Sequence, residues 1–215
     1  MRPRVLAWLG LVGIAEFTAA ILVLHLTALR KEPEHMSQFA NTRYALLWNL
    51  AIFSFTIGGA ALSLAIRPHL EHGLFRRAGL WMIWLSVVGA ILLTTFPMDG
   101  GYQAPTMAGA IHGGAAFSMF MLLGIAMIVL APAFRKSPVW RSFAYPSLVI
   151  GMLVSACGIT YLVATLNSME LAAFAQRIMV GFIATWFILL GVRLLKVPGS
   201  VQAPPAPVGA LAVAT

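Results

Sequence analysis

Apolar residues occur in six long runs, with the charged residues largely gathered in the gaps between them. The runs cover about 5–29, 44–66, 78–96, 108–130, 143–166 and 178–195. Each is close to the length that crosses ~30 Å of hydrocarbon at 1.5 Å per residue. Proline marks several ends: Arg67-Pro68 closes the second run, Pro97 the third, and Pro132 follows the fourth. The first run is too long for the core of a cleaved signal segment, which is about 7–15 residues, and is read as a retained helix. The pattern predicts an all-α polytopic membrane bundle of six transmembrane helices over 1–196. The remainder, 197–215, is rich in Pro and Ala and is expected to be a disordered tail.

Composition agrees. Hydrophobic residues make up 60% of the chain and charged ones 9%, whereas soluble domains carry about a quarter charged residues. The mean hydropathy is +0.91. The net charge of +8 would suggest nucleic acid in a soluble protein, but the chain has no basic helix or aromatic-basic patch to support that partner. The charge instead reports topology. Arg2, Arg4, Arg67, Arg76, Arg77, Arg135, Lys136, Arg141, Arg193 and Lys196 fall on one side of a six-span layout, and Arg30, Lys31, Arg43 and Arg177 on the other. The richer side is expected to be cytoplasmic. Both termini are then inside, in a multi-pass protein of the cell (inner) membrane whose surrounding partners are lipids.

Small residues give packing cues: Gly109 with Gly113, Gly151 with Ser155, and the patch Gly58-Gly59-Ala60-Ala61. Trp8, Trp48, Trp81 and Trp140 lie near span ends, where interfacial anchors belong. The single cysteine, Cys157, makes no internal disulfide and reads as a packing residue.

Ionisable residues at membrane depth carry the functional information. Glu16 lies near the middle of the first span and is expected to point into the bundle, bonded to a group such as Ser118, Ser155 or Thr160. It serves there as a proton site or as a buried packing carboxyl. His25, His35, Ser37, Asp99, His112, Gln176 and Arg177 all fall at the outward end. Three chemistries are open to them. His25, His35 and His112 near Asp99 suit a zinc site. Ser37, His112 and Asp99 suit a nucleophile, base and orienting group. His25 and His112 suit axial haem ligation. The structural alternative is an Asp99–Arg177 ion pair with His112 bonded to a neighbouring helix. His69-x-x-His72 lies in a basic loop and reads as a solvated stretch.

Four segments resemble one known family: His35-Met36-Ser37-Gln38-Phe39-Ala40, Phe96-Pro97-Met98-Asp99, His112, and Gln176-Arg177. They are similar to the Domain of Unknown Function 998 family, mostly bacterial six-helix membrane proteins. The likeness covers nearly the whole helical region, and Gln38 stands where that family usually has an acidic residue. The resemblance implies that Ser37, Asp99, His112 and Arg177 belong together. Their residue types are also similar, more remotely, to those of zinc-dependent membrane hydrolases of the alkaline ceramidase and adiponectin receptor type, although the paired histidines of the last helix of those proteins are absent here.

Two functions are carried forward. One is a membrane-embedded hydrolase or lipid-modifying enzyme, with His112 as base or metal ligand, Asp99 as orienting group, Ser37 as polar contact or nucleophile and Arg177 as anion clamp. The other is a non-enzymatic component that binds a lipid or partner protein.

Overall fold

A segment crossing hydrocarbon must satisfy its backbone N–H and C=O groups internally, which for a single segment means an α-helix. The computed structural model describes residues 3–27, 35–99 and 106–197, and six helices in it are long and apolar enough to cross a membrane. They are α1 (Pro3–Thr27), α2 (Ala45–Ile66), α3 (Leu74–Thr95), α4 (Met107–Lys136), α5 (Arg141–Ala164) and α6 (Met169–Lys196). Short 3-10 segments sit at Met36–Asn41 and Arg67–His69. The all-helical membrane bundle expected from the sequence is the fold observed.

Two boundaries differ from expectation. α4 runs through Pro132 and ends only at Ser137, whose N–H donates to the Phe134 carbonyl. Proline is tolerated there because packed neighbours hold the helix around the missing bond. α6 begins at Met169, well before 178. The Ser168 hydroxyl accepts from the Leu171 N–H and Glu170 occupies the first turn, where an acid favours the positive end of the helix. Gln176 and Arg177 are therefore two turns inside the helix. The tail expected over 197–215 lies outside the described residues apart from Val197.

The helices form a closed ring in chain order. α1 lies against α2, α4 against α3 and α5, and α5 against α6, while the α1–α6 and α2–α3 seams are thinner. At one end of the ring stand Arg4, Arg67, Arg76, Arg77, Arg135, Lys136, Arg141, Arg193 and Lys196. At the other end lie His35, Asp99 and His112.

Small residues set the closest approach. A Cβ on Gly13 would stand 2.6 Å from the Ser54 carbonyl oxygen, so only glycine allows α1 this near to α2. Gly58 meets α1 at Gly10 and Ile14 on the same seam, and Gly151 packs on Gly124 between α4 and α5. Gly109 and Gly113 are not a packing pair: Gly109 backs onto Asp99, and Gly113 faces open space. Among the tryptophans, Trp8 and Trp81 are exposed, as anchors should be, but Trp48 and Trp140 are buried in the core. A buried chain runs from the Trp186 indole N–H to the Ser147 hydroxyl (3.0 Å) and on to the Met127 carbonyl (2.7 Å), tying α6, α5 and α4 together.

Candidate functional site

His112 lies in the second turn of α4 and is 2% exposed. Its Nδ1 is 2.8 Å from the Phe96 carbonyl. A carbonyl only accepts, so Nδ1 holds the proton and, in the neutral ring, Nε2 keeps a lone pair. That Nε2 is buried and has no partner among the described residues. The His112 side chain also lines a small cavity of about 30 Å³, together with Ser37, Trp48, Phe55 and Gln176. Such a volume admits one or two waters. Trp48 lines the same cavity, and its indole N–H is likewise buried without a partner among the described residues. The residues around the cavity thus include a histidine and a tryptophan with an unpartnered buried nitrogen, within a largely apolar lining.

The roof is the Met36–Asn41 turn. The His35 N–H donates to Gln38 Oε1 (3.4 Å), so Gln38 serves as a local cap. The Met36 N–H donates to Gln176 Oε1 (2.9 Å), the Ser37 hydroxyl to the Met98 sulfur (2.9 Å), and the Asn41 amide to the Met98 carbonyl (3.0 Å). The turn is therefore fastened to α6 and to the segment after α3. Its Phe39 ring packs edge-on against His25 and tilted against Trp48.

Asp99 does not face this cavity as an orienting group. Its Oδ2 accepts from the Thr106 N–H (3.0 Å) and its Oδ1 from the Thr106 hydroxyl (2.6 Å), while the Thr106 hydroxyl oxygen accepts from the Gly109 N–H (3.0 Å). This network caps α4 and satisfies amides left open at its first turn. Hydrogen bonds from the Thr106 hydroxyl and then its N–H hold the Asp99 carboxyl below its usual pKa. His112 is instead oriented by a backbone carbonyl.

Arg177 and His25 form a second group beside the first. His25 Nδ1 donates to the Ile21 carbonyl (2.7 Å), and its Nε2 accepts from Arg177 Nε at 3.1 Å. They head an open lateral groove of about 250 Å³ between α1 and α6. Phe17, Met36 and Val180 line both this groove and the His112 cavity, so those three side chains are the partition between them.

The four residues expected together thus divide. Ser37 and His112 share the cavity, Asp99 caps the helix that carries His112, and Arg177 stands across the partition. The expected Asp99–Arg177 pair is replaced by Asp99–Thr106 and Arg177–His25. Zinc does not suit the three histidines: among the described residues no group of three or more His, Cys, Asp or Glu side chains is placed to hold a metal. Both nitrogens of His25 are engaged, and the Tyr161 hydroxyl lies 3.4 Å from His35 Nδ1. Haem fails the same donor test at His25, and the His112 cavity is far smaller than a porphyrin.

Glu16 corrects another expectation. It is exposed on the outer face of the bundle, and the Ser54 hydroxyl donates to its Oε2 at 3.1 Å. Ser118, Ser155 and Thr160 are not its partners, and Ser155 Oγ is buried unpaired on the far side of the ring. His69 and His72 also separate: His69 lies over Trp140, and His72 Nδ1 is 2.8 Å from an Arg76 nitrogen. Trp48, Met36 and Met98 were not expected in the site. The His35–Ala40 segment was a cue to the roof, but nothing local marked a Trp at the start of α2 as a cavity residue.

Comparison with known proteins gives one family. The model described as Protein of unknown function (DUF998) matches residues 11–193. No curated protein and no solved structure matches the chain.

Proposed function

The chain belongs to the DUF998 family of proteins of unknown function, and from that premise we propose that this multi-pass membrane protein acts on the polar end of an amphiphile, with His112 as general base. The observation that carries the reading is the buried His112 Nε2, unpartnered among the described residues, on a residue that lines a cavity, its tautomer fixed by the Phe96 carbonyl. Leaving such an atom unsatisfied opposes folding by about 1–3 kcal/mol, a cost that a bound hydroxyl or water would remove. Taking the arginine-rich end as cytoplasmic, the cavity lies beneath the outer leaflet of the inner membrane.

The groove between α1 and α6 provides the route from lipid. Arg177 gives its head a positive charge, and displacement of Met36 joins it to the cavity. In a hydrolysis, His112 Nε2 takes a proton from water as the water oxygen attacks an ester carbon. The proton then passes to the departing alkoxide, giving acid and alcohol. Ser37 on the same wall holds the water or the substrate oxygen.

A second reading, binding without chemistry, is favoured by Asp99: its carboxylate caps α4 and leaves the histidine without a carboxylate partner. One experiment separates the two. The purified protein is reconstituted in polar lipid extract beside His112→Asn, and lipids are followed by mass spectrometry. Turnover of a lipid by the wild type, at least about 100-fold slower in the variant, supports catalysis. A lipid retained by the wild type and lost by the variant, without turnover, supports binding. If neither differs between the two proteins, His112 is structural and both readings fail.

A further inference from the structure

The thin seam between α2 and α3, at the end of the ring opposite His112, holds an open groove of about 620 Å³. Its mouth carries Arg67, Arg76 and Arg77, and its lining includes no carboxylate. Arg76 is 7% exposed. One terminal nitrogen donates to the Arg67 and Leu70 carbonyls (3.2 Å each), the other lies 2.8 Å from His72 Nδ1, and its Nε is buried with no partner. Arg67 and Arg77 are exposed, and no hydrogen bond or ion pair holds either side chain among the described residues.

Below the arginines the wall turns apolar, through Trp81, Trp84, Leu85 and Val88. From Arg77 to Val88 the helix advances roughly 16 Å at 1.5 Å per residue. That is about half of the ~30 Å hydrocarbon layer, the depth of one leaflet. Three cations at headgroup level above an apolar slot one leaflet deep match a phosphate joined to an acyl chain. A free phosphate uses only the mouth.

We propose that this α2–α3 groove is a specific site for an anionic phospholipid, its phosphate on Arg67, Arg76 and Arg77 and one acyl chain along Trp81 and Val88. The assignment is independent of any role for His112. It exceeds ordinary attraction of basic residues to an anionic leaflet, because the arginines converge on one slot.

Detergent-purified protein is titrated with dioleoylphosphatidylglycerol or dioleoylphosphatidylcholine, and bound lipid is counted by native mass spectrometry. The wild type should hold one phosphatidylglycerol at least tenfold more tightly than phosphatidylcholine. Arg67→Gln/Arg77→Gln should abolish that preference. Both side chains are exposed and unbonded, so the fold is retained. Arg4→Gln/Lys196→Gln removes the same charge at the same end but lies outside the groove, and should keep the preference. Glycerol phosphate at millimolar concentration should fail to displace the lipid. The proposal is overturned by equal binding of the two lipids, by loss of preference in the control variant, or by full displacement with glycerol phosphate.

Discussion

His112 and Phe96 are joined by one hydrogen bond of 2.8 Å between helix α4 and the segment leaving α3, and that bond decides which ring nitrogen keeps its lone pair in the neutral ring. Asparagine places an amide nitrogen near the Nδ1 position and nothing at the Nε2 position. His112→Asn should therefore keep most of the stability, whereas His112→Ala should lose about 1–3 kcal/mol by stranding the Phe96 carbonyl. Thermal unfolding in detergent checks this. Equal loss in both variants would show that the bond is not what holds the ring.

Asp99 contributes through its ionised form. Its pKa is lowered in the folded protein, first by the Thr106 hydroxyl and then by the Thr106 N–H. A depressed carboxyl stabilises the fold above its ordinary pKa, and that stability is lost as pH falls through the lower folded value. The ordinary value is 3.8. The Asp99 share of the melting temperature should thus be constant above about pH 5 and be lost below ordinary carboxyl values, giving a shallower acid fall in Asp99→Ala. Parallel curves for the two proteins would remove Asp99 from the acid response.

Gly109 is fixed by the same cap. A Cβ there would collide with the Asp99 carboxylate, while one on Gly113 or Gly114 would meet nothing within 4 Å. Gly109→Ala should cost about 1 kcal/mol or more through loss of the cap. Gly113→Ala should be neutral or slightly stabilising, since alanine is the better helix former. Unfolding midpoints of the two variants, compared side by side, test whether the Asp99–Thr106–Gly109 network supports α4.

Glu16 faces outward at mid-span with Ser54 as its partner. A carboxyl at that depth opposes insertion by about 3 kcal/mol relative to leucine. Glu16→Leu should therefore increase insertion of the first helix in a glycosylation-based insertion assay. No gain would mean that the carboxyl is already covered, by a second chain or another membrane component.

The spans were legible because length and apolarity alone define them, and their ends moved only where local chemistry intervened, as at Ser168 and Pro132. The facing of Glu16 was not legible. A helix that is apolar all round carries no polar-to-apolar contrast to mark its buried side. The small and buried positions Gly10, Gly13, Ile14 and Phe17 do mark that side, and Glu16 lies off it. The conjunction of Ser37 with His112 could be read from their shared end of the bundle. The separation of Asp99 from Arg177 could not: the Asp99 cap is made with Thr106 across an intervening loop, and the Arg177 bond joins residues 152 positions apart.

The closed ring also fixes an order of events during synthesis. The first helix shares its wall with the last, and the roof of the cavity is fastened to α6 through Met36 and Gln176, 140 positions apart. Until α6 leaves the translocation machinery, α1 has only one of its two neighbours and the roof has no anchor. Five inserted helices therefore make an open arc with the histidine side unsealed. A nascent chain arrested before residue 169 should be recognised by membrane quality control as unfinished, although most of its spans are already in place.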